Sequence, residues 1–251
     1  MTDIVERALA AGSRCSLTKS VLAEWATGGT PRQREYLLDY LEAEAASRDA
    51  SKRRQLLRRC AAPYVKTLEG YDWTPTSFPE GFGRADLESL SFIDAHEDLV
   101  FMGASGTGKT HLTCALCVLA CTSLIEARFF TASSLVMRLR RAKEEAKLDR
   151  ELSQLSRAKL LVIDELGFLP LDLDGARLLF QVISNAYERQ SLVITTNLEF
   201  SRWGTVFGDD QMAAAVIDRI VHHGRLVQFH GESWRMRHAL MQQDKKAAQM
   251  P

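Results

Sequence analysis

Two short stretches of this chain carry residue types able to handle phosphate. The first is Gly103-Ala104-Ser105-Gly106-Thr107-Gly108-Lys109-Thr110, which follows the apolar run Leu99-Val100-Phe101-Met102 and opens a helical pattern. That is the G-x-x-x-x-G-K-[ST] spacing in strand, loop and helix context. A phosphate chain needs donors on several sides, and Gly103, Gly106 and Gly108 let successive backbone N–H groups turn inward around it. The N-terminus of the next helix adds its dipole. In such a loop Lys109 reaches the β- and γ-phosphates as a mobile charge, and the Thr110 hydroxyl ligates Mg²⁺. The second stretch, Leu160-Leu161-Val162-Ile163-Asp164-Glu165, is a buried strand that delivers two acids at its carboxyl end, where α/β proteins bind ligands. There Asp164 suits a grip on Mg²⁺, and Glu165 can orient or deprotonate an attacking water. The sequence has no Asn-Lys-x-Asp guanine motif, so the expected nucleotide is ATP.

Other residues admit two readings. Asn197, at the tip of Leu192-Val193-Ile194-Thr195-Thr196-Asn197, has the reach to hydrogen-bond a lytic water or a γ-phosphate. Arg219 follows Asp218 on a helical stretch; it is either a local ion-pair partner or an arginine finger for a neighbouring subunit's nucleotide. Cys114, Cys117 and Cys121, with His111 one turn earlier, have the spacing of a buried helix face, and Mg²⁺ is the only metal expected. Asp209 and Asp210 are adjacent loop acids, not the separated carboxylate set of a two-metal nuclease.

The elements around these residues divide the chain. Residues 1–69 read as helices only, with a start signal at Thr30-Pro31-Arg32-Gln33, where a capping threonine, a first-turn proline and a glutamine coincide. Between Arg48 and Arg59 the single acid Asp49 stands against Arg48, Lys52, Arg53, Arg54, Arg58 and Arg59, which form a phosphate-tracking stripe or a solvated face. Residues 70–98, with Pro75, Pro79, Gly81 and Gly83, read as a linker. From residue 99, strands at 99–102, 128–131, 160–163, 192–195 and 226–229 alternate with helices, which predicts a five-stranded parallel sheet covered on both faces. The core extends to 242, and 243–251 is expected to be a disordered tail.

Composition narrows the setting. Lys+Arg and Asp+Glu both total 32, so any nucleic-acid contact must come from locally clustered charge. The five cysteines, an odd number, argue against a disulfide framework. No apolar stretch approaches a membrane span and no signal-peptide core is present, so the cytoplasm is the expected compartment and no membrane partner is expected.

Several motifs resemble the IstB proteins, the AAA+ helper ATPases of two-gene insertion sequences and relatives of the helicase loader DnaC. They are Lys66 to Trp73, the glycine-rich loop through His111, Ile163-Asp164-Glu165-Leu166-Gly167-Phe168, Thr195 to Leu198, Phe200-Ser201-Arg202-Trp203-Gly204-Thr205-Val206-Phe207-Gly208-Asp209 and Asp218 to His223. The resemblance implies an AAA+ core without a C-terminal lid domain, with Gly103 to Thr110 as Walker A, Asp164 and Glu165 as Walker B, Asn197 as sensor 1 and Arg219 as a finger acting in trans. Arg235, in Glu232-Ser233-Trp234-Arg235, is a further candidate γ-phosphate contact. In this clade a helix after the second strand faces nucleic acid. Here it carries Arg138, Arg140, Arg141, Lys143 and Lys147, so both basic regions become expected contacts to the backbone of duplex DNA. The implied activity is an ATP-dependent homo-oligomer that deforms target DNA and stimulates an IstA-like transposase. The alternative is a DnaC-like replicative helicase loader, and a metabolic P-loop kinase is disfavoured by Glu165.

Overall fold

The structure is a computed structural model, and it describes residues 2–233. The chain divides into two compact units between Gln55 and Leu56.

The first unit is helical: α1 (Thr2–Arg14), α2 (Lys19–Gly28) and most of α3 (Pro31–Cys60). The start of α3 is closed reciprocally: the Gln33 N–H donates to Thr30 Oγ1, and the Thr30 N–H donates to Gln33 Oε1 at 2.9 Å. Ala8, Ala11, Leu22, Ala26, Leu38 and Leu41 form its small core. Ion pairs Arg7–Glu42 and Arg14–Asp49 tie α1 to α3.

The second unit opens with the end of α3 and continues through β1 (Thr76–Ser77), α4 (Arg84–Ser89), α5 (Ser91–Asp94), β2 (Asp98–Gly103), α6 (Lys109–Thr122), β3 (Ala127–Thr131), α7 (Ala132–Glu144) and α8 (Leu148–Leu155). It then runs through β4 (Leu160–Leu166), α9 (Leu173–Ala186), β5 (Ser191–Thr196), α10 (Gly204–Phe207), α11 (Asp210–His222) and β6 (Gly224–Phe229). The sheet order is β1-β6-β2-β5-β4-β3. All five predicted strands are present and parallel, and β1 adds a sixth, antiparallel to β6 at the edge.

Strand alternation distributes the side chains to two cores, as a sheet covered on both faces requires. Val100, Leu161, Ile163, Leu192 and Ile194 pack under α7, α9 and α11. Leu99, Phe101, Leu160, Val162 and Val193 pack on the opposite face under α6, where Cys114, Cys117 and Cys121 are buried.

Two expectations change. The segment 70–98 is no linker: Phe82, Leu87, Leu90, Phe92 and Ile93 are buried in the core beneath α6, because its apolar residues outweigh the turn-forming prolines and glycines between them. For the same reason the helical unit ends at Gln55, since Leu56 and Cys60 are buried with that core. The expected tail at 243–251 and the absence of a lid domain fall on residues outside the described ones.

Candidate functional site

The glycine-rich loop follows directly from the end of β2. Gly106 and Gly108 take φ values of +81° and +101°, which a side chain would strain, and this reverses the chain into the start of α6. A Cβ on Gly106 would also lie 2.1 Å from Ser233 Oγ. Lys109, nine-tenths buried, donates from Nζ to the carbonyl oxygens of Gly103 and Ala104, both at 2.7 Å, so its ammonium is held at the rim of the loop. Thr107 Oγ1 closes the loop on Ala104 O at 2.8 Å.

The two acids at the end of β4 would point to opposite faces of a regular strand. They do not behave so, because pairing with β5 shifts register between Ile163 and Leu166 and Glu165 has φ +61°. Asp164 is buried and accepts from Thr110 Oγ1 at 3.0 Å and from Thr195 Oγ1. Thr195 Oγ1 in turn accepts the Glu165 N–H at 2.9 Å. Glu165 is thereby fixed through its backbone while its carboxylate stays exposed at the mouth. Asp164 and Thr110 together form a pair of hard oxygen donors suited to Mg²⁺.

Glu165 and Asn197 line one cavity of about 950 Å³ with Ser105 to His111, so the structure brings the predicted phosphate-handling residues to a single place. Ala104 contributes its carbonyl to Lys109 and Thr107. Sequence reasoning quoted Lys66 to Trp73 only for the family resemblance and assigned no residue of the other wall to the site. Lys66, Tyr71, Thr74 and His230 also line the cavity. Tyr71 stacks edgewise on Trp73 and His111, its hydroxyl donates to Gly108 O at 3.4 Å, and burial pushes that hydroxyl's pKa up to about 12. The signal was the aromatic run Tyr71-Asp72-Trp73 inside the supposed linker.

A family model described as IstB-like ATP binding protein matches residues 21–242. The chain belongs to this family. An ATP-binding protein of insertion sequence IS5376 from Geobacillus stearothermophilus is 36% identical over 230 residues, covering 92% of each chain. One of insertion sequence IS21 from Pseudomonas aeruginosa is 37% identical over 207 residues, 81% of this chain and 77% of that one. Among solved structures, the DnaC helicase loader is similar with a TM-score of 0.50 and 25% identity, over 59% of this chain and 89% of that one. DnaA bound to AMPPCP and single-stranded DNA shares the fold at a TM-score of 0.54 and 16% identity, over 76% and 57%. The IstB-like chain is thus an ATP-binding protein of the insertion-sequence type with an AAA+ fold.

One expected site residue of this IstB-like protein, Arg219, is not brought to the cavity. Its Nη1 donates to Ala215 O at 2.8 Å and the guanidinium lies 4.8 Å from the Phe180 ring centroid. No described acid, Asp218 included, forms an ion pair with it. Asp209 caps α11 by accepting the Met212 N–H at 2.8 Å. Arg235 lies outside the described residues.

The two basic regions differ. On α3, Arg48 pairs with Glu44 and Arg54 donates to Ser51, while Lys52, Arg58 and Arg59 are exposed without an acidic partner among the described residues. The five basic residues expected at α7 each meet an acid: Arg138 with Glu151, Arg140 with Asp172, Lys143 with Asp174, and both Arg141 and, just past the helix, Lys147 with Glu145. No helix among the described residues is long and apolar enough to cross a membrane.

Proposed function

We propose that this protein is an ATP-hydrolysing, DNA-binding helper of a transposase, working as a head-to-tail oligomer on duplex DNA. The observation that carries the reading is the hydrogen-bonded line Thr110–Asp164–Thr195–Glu165, which ends beside Lys109 and Asn197 in one cavity. Lys109 binds the β- and γ-phosphates of ATP, and loop N–H groups from Ser105 to Thr110 hold the rest of the chain of phosphates. Thr110 and Asp164 would hold Mg²⁺, which supplies charge neutralisation between the β- and γ-phosphates. Glu165 orients a water and takes its proton, and Asn197 contacts that water or the γ-phosphate.

Arg219 acts on a neighbouring subunit's ATP. Its place outside the lining of its own cavity and its lack of an acidic partner among the described residues support this role, and a finger in trans requires a heterologous, head-to-tail interface. Lys52, Arg58 and Arg59 of α3, exposed and without an acidic partner among the described residues, supply contacts to the DNA backbone, and the insertion-sequence relatives support a transposase as the partner.

A mixing experiment tests the core of this reading. Arg219→Ala and Lys109→Ala proteins should each be inactive in DNA-stimulated ATP hydrolysis, and their mixture should recover activity, because some interfaces then pair an intact loop with an intact finger. Arginine fingers contribute about 10³ or more in rate, so a minority of repaired interfaces is measurable. No recovery in mixtures shown to co-assemble would remove the trans role. The similarity to the DnaC loader favours one second reading, and capture of a replicative helicase in preference to the transposase would establish it.

A further inference from the structure

The cradle sits at the carboxyl edge of the sheet. At the amino edge, in the turns that enter β5 and β6, lies a cluster the ATPase reading does not use. Glu188 follows the end of α9, and His222 and His223 close α11. One ligand atom from each of the three lies within 4.8 Å of the other two.

This juxtaposition depends on how α11 stops. Consecutive residues of a helix project about 100° apart, but His223 leaves helical geometry at φ −121°, ψ 17°. The two imidazoles consequently meet edge to face, with centroids 4.4 Å apart. Glu188 takes a left-handed conformation, φ +58°, that glycine or asparagine would fill at lower cost, and this turn lays its Oε1 3.0 Å from His223 Nε2. Tyr187 contributes its hydroxyl, 2.9 Å from His222 Nδ1, which fixes that ring's orientation.

We propose that Glu188, His222 and His223 form a binding site for a divalent transition-metal ion of the zinc class, with Tyr187 positioning one of the imidazoles. Two imidazole nitrogens and one carboxylate are a donor set that selects zinc-like ions over Mg²⁺, which prefers oxygen donors and retains its waters. Donors in a tetrahedral zinc site are separated by roughly 3.3 Å, as bonds of about 2.0–2.1 Å require. The histidine–glutamate pair is already near that spacing, and the exposed His222, its ligand atom within 4.8 Å of both, completes the set as the three side chains draw together on an ion. Solvent exposure leaves a fourth position to water. A bound ion would join the turn before β5 to the turn before β6, the two strands flanking β2.

The test uses tag-free full-length protein stripped with chelator and titrated with Zn²⁺ alone, by calorimetry and by competition with a chromophoric chelator. One ion should bind per chain and raise the melting temperature, since binding confined to the folded state stabilises it. Titration with Co²⁺ should give ligand-field bands without thiolate charge transfer. Glu188→Gln, nearly isosteric, should weaken binding at least tenfold, and so should His223→Ala; Tyr187→Phe should weaken it about 10–100-fold. Melting in chelator and ATP affinity establish that each variant is folded. Absence of a bound ion, affinity unchanged in both Glu188→Gln and a His222→Ala/His223→Ala protein, or thiolate bands that assign the ion to cysteines would each overturn the proposal.

Discussion

The two edges of this sheet hold polar groups for different purposes. At the carboxyl edge, Lys109 donates to the loop carbonyls of Gly103 and Ala104, Thr110 and Thr195 both donate to Asp164, and the cavity beside them is also faced by Glu165 and Asn197. At the amino edge, Asp98 Oδ1 accepts the Leu192 N–H at 2.8 Å, the Asp98 N–H donates to His223 O and Ser191 Oγ donates to Phe92 O, all within the fold. The difference teaches that a buried polar residue is not in itself a sign of chemistry. What distinguishes the cradle from these buried pairs is that its hydrogen bonds end at groups still open to a ligand.

Breaking the carboxyl edge should have the largest effects, and different ones at neighbouring residues. Lys109→Ala removes a charge-assisted contact and should weaken ATP binding by roughly 10–100-fold, measured by titration with a fluorescent ATP analogue. Glu165→Gln keeps the backbone bond to Thr195, so ATP affinity should persist while turnover falls by about 10²–10⁴. Equal loss of ATP affinity in the two proteins would end the assignment of separate binding and hydrolytic roles.

Much of this site was legible because local pattern and tertiary use agree. The apolar run from Leu99 to Met102, the glycines that follow it and the strand before Asp164 each specify one local structure, and the parallel sheet assembles them at its carboxyl edge. The capping signal at Thr30 and Gln33 was legible for the same reason. Features set by distant partners were not. The two-residue β1 exists only through pairing with β6, and the bulge that turns Glu165 depends on register against β5. Tyr71 and Phe82 look like residues of a linker until α6 covers them. The acids that neutralise α7, Glu151, Asp172 and Asp174, come from α8 and the start of α9.

Breaking the amino edge should change stability and leave the cradle intact. Burial pushes the Asp98 carboxyl from an ordinary 3.8 up to about 7, against the lowering pull of the Leu192 N–H and the charge of His223. Between those values the folded chain holds a proton that the unfolded chain has released, so this group makes stability fall as pH rises from about 4 to 7 and level off above. Asp98→Asn can retain the bond to Leu192 while removing the buried charge. The variant, compared with the parent protein in chelator, should show a flatter pH profile and gain on the order of 2 kcal/mol above pH 7. Denaturant melts across that range check this, with ATP affinity as the control. A profile as steep as the parent's would mean Asp98 is not the group being titrated.

The smallest effect per residue belongs to the exposed helices, and it distinguishes the two basic faces. On α3, Lys52, Arg58 and Arg59 have no acidic partner among the described residues, so replacing these three with alanine should remove counterion release at each phosphate they neutralise. The slope of log affinity against log salt should flatten by up to about 0.9 per phosphate left without its cation, equally for all duplex sequences. On α7, Arg138, Arg140 and Lys143 each sit on an acid, and DNA would have to compete with Glu151, Asp172 and Asp174 for them. Exposed pairs of this kind are worth only about 0–1 kcal/mol, so competition is feasible, but the face starts near electrical balance and attracts phosphate weakly. Alanine at those three positions should therefore flatten the slope less per residue than the α3 set does. The Asp172 carboxylate also accepts the Gly175 N–H at 3.0 Å, so α9 retains its cap when Arg140 is replaced and the variant should stay folded. Equal flattening in the two sets would show that the α7 cations release their acids on binding. An unchanged slope in the α3 set would return that helix to a solvated face and leave DNA contact to some other surface.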